Sequence, residues 1–212
     1  VRMHWLYFGH DSPEKLEQAG YVFDSTCGFN EMIGYKSGTA QVYKPLRVKQ
    51  LLELPMHIMD TALFYPDRMN LTFSEGINAI KVLIKKAADN GGVLTINWHD
   101  RSIAPERFWD DVYSHTLYEL KNQRARFLTA GAVVNWFRKR RKIIFNQVSN
   151  NGLPSKVKLT GLDVDAIDGM FLRIYFPTKQ KSPDTFHKHA ILTYQDILLD
   201  RQNEIDILLK NT

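Results

Sequence analysis

The first candidates for chemistry are polar residues that follow a short apolar stretch near the middle of the chain. Residues 93–96 come after a glycine pair, and the segment ends at His99 with Asp100 and Arg101 behind it. Buried strands of α/β proteins commonly place catalytic groups at their carboxyl ends in this way. The sequence leaves two alternatives for His99: a catalytic residue, or a structural one whose imidazole is satisfied at the strand end.

Two aspartates occupy comparable positions earlier in the chain. Asp24 follows residues 21–23, a triplet typical of β-strands, so a second polar cluster is predicted at a strand end. Asp60 lies inside the apolar run of residues 56–64. It is either a solvated group on the side of a helix or a group that faces the same cleft as His99.

Other polar features give weaker predictions. Cys27 is the only cysteine, which excludes an internal disulfide and a thiolate metal cluster. His187 and His189 are spaced to share one face of a strand, but no third ligand is near in sequence, so a surface loop is favoured and no metal site is predicted. The basic run at residues 138–142 can contact phosphate, yet such runs are more often the solvated last turn of a helix. No recognised nucleic-acid-binding module accompanies it, so no nucleic-acid partner is predicted.

Composition is that of a folded protein. The chain has 212 residues, a formal net charge of +5 and 44% hydrophobic residues, which is enough for one domain with an appendage or for two small domains. No run approaches the roughly twenty apolar residues that a membrane helix needs, so no membrane span is expected.

The elements that position the candidate residues follow from hydrophobic spacing. Helices are predicted from Asp11 or Ser12 to Gly20, from Ser74 (its cap) to Asn90, from Pro105 to about Gln123, and from Ala130 to Arg141. Strands are predicted at residues 2–8, 21–23, 48–54, 93–98 and 126–129, and a long aromatic loop at residues 27–46. Alternating strands and helices favour a mainly parallel sheet, or a barrel with helices outside.

The pattern changes after Arg141. Residues 156–160 and 170–176 alternate as β-strands do, and turn residues separate them from the preceding part. We therefore predict an α/β domain over residues 1–141 and a small β-rich accessory region over residues 142–212.

Five segments, read together in their order and spacing, resemble one known family. They are Val1 to Leu6, Ala19 to Thr26, Gly34 to Thr39, Leu51 to Pro55 and Leu94 to His99. They resemble the C-terminal part of the catalytic domain of polysaccharide deacetylases of the carbohydrate esterase family four type, in particular the branch associated with bacterial surface polysaccharides. The resemblance covers about the first 140 residues.

The resemblance implies a fold and a reaction. The fold would be the C-terminal portion of a distorted (β/α) barrel, and the activity that of a metal-dependent hydrolase that removes acetyl groups from an N-acetylated sugar or polysaccharide. In that family a divalent metal, zinc or similar, polarises the acetamide carbonyl and binds a water, an aspartate takes the proton of the water, and a histidine protonates the departing amine.

The resemblance also assigns roles to particular residues. His99 matches the acid, and Arg2 matches the arginine that orients the catalytic aspartate. Asp24 corresponds to the acidic partner of the histidine, with Asp60 as a second candidate. Leu94 and Ile96 correspond to the walls of the acetyl pocket, with Trp98 beside it.

The sequence departs from the family in one important respect. The metal ligands and the base of the family precede its arginine motif, where this sequence starts, so the metal ligands are not predicted within it. We therefore expect an N-terminally incomplete domain that has little activity alone. The alternative is a noncatalytic carbohydrate-binding protein that uses Tyr35, Tyr43 and Trp98 as a sugar platform.

Overall fold

The structure is a computed structural model, and it describes residues 1–150, 153–160, 170–176, 193–199 and 204–206. The chain divides into two compact units, residues 1–134 and 135–212. The division falls inside a helix, several residues before the boundary that the sequence predicts.

The first unit combines helices with short parallel strand pairs. Its helices are α1 (Ser12–Gln18), α2 (Asp60–Phe64), α3 (Phe73–Asn90), α4 (Asp110–Asn122) and the start of α5 (Ala130–Lys142), with 3-10 turns at His4–Leu6 and Asp100–Ser102. Its strands are β1 (Phe23–Asp24), β2 (Leu52–Glu53), β3 (Ile58–Met59) and β4 (Ile96–Asn97). Strand β1 pairs with β2, and β3 pairs with β4, both in parallel.

The main core lies beneath the junction of β3 and α2. Apolar side chains of β3, α2, α3 and α4 form one buried cluster: Ile58, Leu63, Phe64, Ile80, Leu83, Ile84, Val112 and Leu120. Burial of such side chains is the main force that fixes these elements. Because Asp60 joins β3 directly to α2, the core also fixes the backbone that carries this carboxylate.

Helix α3 confirms the predicted helix but not its predicted cap. Thr72 is the N-cap, where the Thr72 hydroxyl accepts from the Glu75 backbone N–H at 3.3 Å and the Glu75 carboxylate accepts from the Thr72 N–H at 2.9 Å. Ser74, the predicted cap, lies two residues too late. Gly91, at φ +68°, ends the helix in a conformation that glycine adopts easily.

The second unit, described by itself, is rich in strands. They are β5 (Ile144–Asn150), β6 (Leu153–Thr160), β7 (Phe171–Phe176), β8 (Thr193–Leu198) and β9 (Glu204–Asp206). Strand β6 lies between β5 and β9, and β7 pairs with β8, all antiparallel. The strands predicted at residues 156–160 and 170–176 are confirmed, whereas His187 and His189 lie outside the described residues.

Several predicted elements are wrong or shorter than expected. Residues 2–8 do not form a strand: their backbone turns at Trp5 and Leu6, both at positive φ. Residues 126–129 form neither helix nor strand, and the helix expected from Pro105 begins only at Asp110. The basic run does fall in the last turns of α5, as predicted.

The fold class is mixed α/β, and the barrel stays a prediction. Each sheet among the described residues has two or three strands. None of the described helices is both long enough and apolar enough to cross a membrane.

Replacing Thr72 with alanine removes one acceptor of the capping pair, so the free energy of unfolding should fall by about 1 kcal/mol. Ser74→Ala removes a hydroxyl two residues later and should change it by no more than about 0.5 kcal/mol. Urea unfolding followed by circular dichroism measures both variants. A larger loss for S74A than for T72A would contradict the observed cap.

Candidate active site at His99 and Asp60

His99 and Asp60 meet at the same end of the β3–β4 pair. The parallel register places Met59 opposite Asn97, so the chain leaves β3 at Asp60 close to where it leaves β4 toward His99. The His99 Nδ1 lies 2.6 Å from the Asp60 Oδ1, and the His99 backbone N–H donates to the Asp60 Oδ2 at 2.7 Å. One carboxylate therefore holds both the main chain and the side chain of His99.

Asp60 is completely buried, and its charge is balanced by hydrogen bonds. Besides the two bonds to His99, the Thr61 backbone N–H donates to the Asp60 Oδ1 at 2.7 Å. A buried carboxylate without such donors would be costly, so the three N–H groups account for its presence in the core. Asp60 is therefore the group that contacts His99, and it is not a solvated residue on the side of a helix.

The contact with Asp60 leaves one nitrogen of His99 available to a ligand. Because the Asp60 carboxylate can only accept, the His99 Nδ1 carries a proton in this arrangement. The Nε2 has no hydrogen-bond partner among the described residues, and 42% of the His99 side chain is exposed. An imidazole fixed at one nitrogen and open at the other is suited to proton transfer.

Arg2 ties two strand ends together through its guanidinium, and its predicted role in orienting a catalytic aspartate stays a prediction. Its Nε donates to the Ser25 carbonyl at 2.9 Å, its Nη2 to the Ser25 Oγ at 3.0 Å, and its Nη1 to the Asn97 Oδ1 at 2.9 Å. Burial lowers the pKa of Arg2, and the charges of Asp24 and Glu53 oppose that shift. Arg2 thus reaches from the end of β1 to β4, two residues before His99.

Asp24 does not contact His99 in the described structure; Asp60 occupies that position. Asp24 is fully buried and accepts from the Thr26 hydroxyl at 2.7 Å. The β1–β2 register places Asp24 opposite Glu53, which is also buried. The two strand ends that carry polar clusters therefore contain different sites: a histidine with an aspartate at one, and two carboxyl groups at the other.

Glu53 is a buried carboxyl with a raised pKa. The Glu53 Oε1 accepts from the Cys27 N–H at 2.8 Å, while the Glu53 Oε2 and the Asp24 Oδ2 have no hydrogen-bond partner within the described part of the chain unless one carboxyl is protonated. Burial first, and then the negative charge of Asp24, raise the pKa of Glu53 to about 8. Near neutral pH the Glu53 carboxyl therefore holds a proton, close to the positive charge of Arg2.

The residues predicted to bind substrate are packed into the protein surface. Leu94, Ile96 and Trp98 are half-buried against the main core. Tyr35 donates its hydroxyl proton to the Leu83 carbonyl at 3.0 Å. These positions suit the walls of a pocket better than an exposed sugar platform, and Tyr43 is half-buried as well.

Sequence reasoning missed three features of the first unit. Trp5 is 65% exposed and sits at φ +59°, an unusual conformation for a residue other than glycine, and Tyr7 and Phe8 are exposed beside it. His57 is buried, and burial lowers its pKa to about 4, so it is neutral and structural. A lone Glu53 within the apolar residues 51–55 was the one available signal for the buried carboxyl pair.

The described residues do not fit the metal that the resemblance implies. They contain no group of three or more His, Cys, Asp or Glu side chains that could hold a metal ion. The Asp60 oxygens and the His99 Nδ1 are already engaged with each other. We therefore assign no step of a reaction to a metal on these residues.

Comparisons with known proteins leave the family open. No protein-family model matches the chain, and no curated protein and no solved structure matches it significantly.

Asp60→Asn should disturb His99 while the equivalent change at Asp100 should not. An asparagine at this position must turn its NH₂ group toward one of the N–H groups that now donate to Asp60. Because that leaves a buried donor unpaired, the free energy of unfolding should fall by about 1–3 kcal/mol. Asp100 is a matched control, because its Oδ1 also accepts from the next backbone N–H, at 2.8 Å, but it is exposed. Urea unfolding measures both variants, and a loss of unfolding free energy in D60N no larger than that in D100N would contradict the assignment.

Glu53→Gln should make stability less dependent on pH. Because the pKa of Glu53 is raised in the folded protein, the unfolded chain releases its proton first, and stability falls as pH rises toward about 8. Between about pH 5 and pH 8 the wild type should lose stability relative to E53Q by on the order of 1 kcal/mol per pH unit, and the loss should level off above that range. Urea unfolding at several pH values measures this, with the exposed Glu31→Gln as control. Parallel curves for the wild type and E53Q would refute the raised pKa of Glu53.

Proposed function

We propose that His99, oriented by Asp60, is the general acid of a hydrolase that removes acetyl groups from an N-acetylated sugar or polysaccharide. The observation that carries this proposal is the His99 imidazole itself, bound to a fully buried carboxylate through Nδ1 and open at Nε2. The order of the five segments that resemble polysaccharide deacetylases supports the choice of substrate.

The reaction is hydrolysis of an amide. Water adds to the acetyl carbonyl carbon, the C–N bond breaks, and the products are acetate and a free amine. The departing nitrogen needs a proton as the bond breaks, because an amide anion is a poor leaving group. The protonated His99 donates its Nε2 proton to that nitrogen and keeps its Nδ1–H on Asp60.

The residues around His99 serve this step by holding it in place. The Asp60 carboxylate stabilises the imidazolium form electrostatically and prevents rotation of the ring. Arg2 and Asn97 fix the end of the strand that leads to His99. A positioned general acid typically contributes about 10²–10⁴-fold to a rate, which is the share we assign to His99.

In the family that this chain resembles, a divalent metal supplies the polarisation of the carbonyl and the activation of the water. The described residues carry the acid and its orienting partners, and the nucleophilic half of the reaction is not assigned to them. The proposal is therefore tested on the native protein purified from its own source.

A noncatalytic carbohydrate-binding protein is the second candidate. The exposed Trp5, Tyr7 and Phe8 favour it, because exposed aromatic rings can stack on the apolar faces of sugars. This set differs from the platform of Tyr35, Tyr43 and Trp98 expected from the sequence, which is half-buried.

In the native protein, His99→Ala should lower kcat for acetate release from chitooligosaccharides by about 10²-fold or more, since the departing amine loses its proton donor. For a phenyl acetate ester, kcat of the same variant should fall far less, because the departing phenolate does not need a proton. His115→Ala is the matched control, since His115 also faces a carboxylate, that of Glu119, at 3.3 Å.

Two results would overturn the assignment. Near-normal acetate release by H99A would show that His99 is not the acid. Sugar binding by a wild-type protein that releases no acetate would favour the second candidate, and Trp5→Ala should then abolish that binding.

A further inference from the structure

Two arginines share one tyrosine ring close to the His99 and Asp60 pair. The Cζ atoms of Arg68 and Arg107 lie 5.2 Å and 5.1 Å from the centroid of the Tyr65 ring. The Arg107 guanidinium also lies over Trp109, at 5.2 Å. Aromatic rings attract cations, so Tyr65 and Trp109 hold the two positive charges near each other.

Neither guanidinium is neutralised by a carboxylate of the described residues. Glu106, the acidic residue next to Arg107 in sequence, pairs with Arg101 at 3.6 Å, and the exposed Asp67 forms no ion pair with its neighbour Arg68. Like charges held against one ring repel each other, and the cation–π attraction of about 0.5–2 kcal/mol acts in the opposite direction. An anion would remove that repulsion.

Both arginines keep hydrogen-bond donors available. Arg68 donates from Nη1 to the Thr61 hydroxyl at 2.8 Å. Arg107 donates from Nη1 to the Ser102 hydroxyl at 3.1 Å and from Nη2 to the Tyr65 hydroxyl at 2.6 Å. Within the described part of the chain, the Nε of each arginine and the Nη2 of Arg68 have no acceptor, and both side chains are half-buried, so their remaining N–H groups are oriented but reachable.

The same hydrogen bonds place the arginines beside the candidate active site. Thr61, which accepts from Arg68, donates its backbone N–H to Asp60 at 2.7 Å. Ser102, which accepts from Arg107, donates its backbone N–H to the His99 carbonyl at 3.1 Å. Each arginine is therefore one residue away from a member of the His99 and Asp60 pair.

We propose that Arg68 and Arg107 form an oxyanion-binding subsite that recognises a carboxylate or sulfate substituent on a sugar bound at His99. Guanidinium groups present their N–H donors in a planar fork that matches the two oxygens of a carboxylate or sulfate. The substrate class is thus an anionic N-acetylated polysaccharide, one in which acidic residues or sulfated positions neighbour the acetamido sugar. The oxyanion subsite extends the proposed function. Only the identity of the sugar rests on that function; binding of the anion by the two arginines does not.

The subsite is tested first without any sugar turnover. Sodium sulfate and sodium glucuronate are titrated into the ¹⁵N-labelled protein while the Nε–H signals of the arginines are followed by NMR. Both anions should cause saturable shifts at Arg68 and Arg107, and no saturable shift at the exposed Arg124 and Arg126. Absence of saturable shifts at Arg68 and Arg107 with either anion would overturn the proposal, and saturation by only one of them would identify the substituent.

The second test compares two probes that differ in charge. Calorimetry should show that a hyaluronan hexasaccharide, which alternates N-acetylated sugars with carboxylates, binds at least about tenfold more tightly than neutral chitohexaose, and that the difference shrinks with added salt. The double variant R68Q/R107Q should lose this preference, whereas R124Q/R126Q, which removes the same charge from exposed positions, should keep it. R68K/R107K retains charge and fold but not the fork, so it should retain only part of the preference.

Equal affinity for the two oligosaccharides in the wild type, or equal loss of the preference in both double variants, would refute the subsite. The proposed function fails by a different outcome, the absence of acetate release. A protein that prefers the anionic probe but releases no acetate would keep the oxyanion subsite and discard the general acid.

Discussion

The first unit depends on a buried charge, that of Asp60. Removing a carboxylate from water is expensive, and in this protein the cost is offset by the N–H groups of Thr61 and His99 and by the His99 imidazole. Thr61 follows the end of β3 and His99 follows the end of β4, so the two sets of donors meet at Asp60 when β3 and β4 are paired. The pairing of these strands therefore also orients His99.

The surrounding charges are arranged so that few of them stay uncompensated. Arg2 is partly buried near Asp24 and Glu53. Because Glu53 holds a proton, the positive charge of Arg2 faces little excess negative charge there. By contrast, Arg68 and Arg107 carry two positive charges without a carboxylate among the described residues. This uncompensated positive charge lies beside His99, where a bound anion would neutralise it. It distinguishes the surface near His99 from the charge-balanced interior behind Arg2.

The sequence predicted the helices better than the strands, and β5 and β8 were not predicted. Helices α1, α3 and α5 follow from apolar spacing, which is a local signal. The strands β1 to β4 have two residues each, so they leave almost no periodic pattern to detect. Residues 2–8 alternate as a strand would, yet the side chain of Arg2 is drawn to Ser25 and Asn97, and the chain turns sharply after it. Such long-range hydrogen bonds override weak local preference.

The candidate site was predictable in its members but not in its pairing. His99, Asp60 and Asp24 stand out as polar residues at the ends of apolar segments, and the sequence offered both aspartates as partners of the histidine. Which one meets His99 depends on which strands are neighbours, and that is a property of the tertiary fold. The partnership of Asp24 with Glu53 and the approach of Arg107 to Tyr65 have the same origin, since each joins residues distant in sequence.

Asp60 holds His99 by two bonds at once, through the backbone N–H and through Nδ1. This arrangement resembles a chelate: once one bond has formed, the second adds little further loss of rotational freedom, and one broken bond can reform before the residue drifts away. The outer nitrogen can therefore gain and lose a proton repeatedly while the ring keeps its position. A histidine held through its side chain alone would have to find its orientation again after each such break.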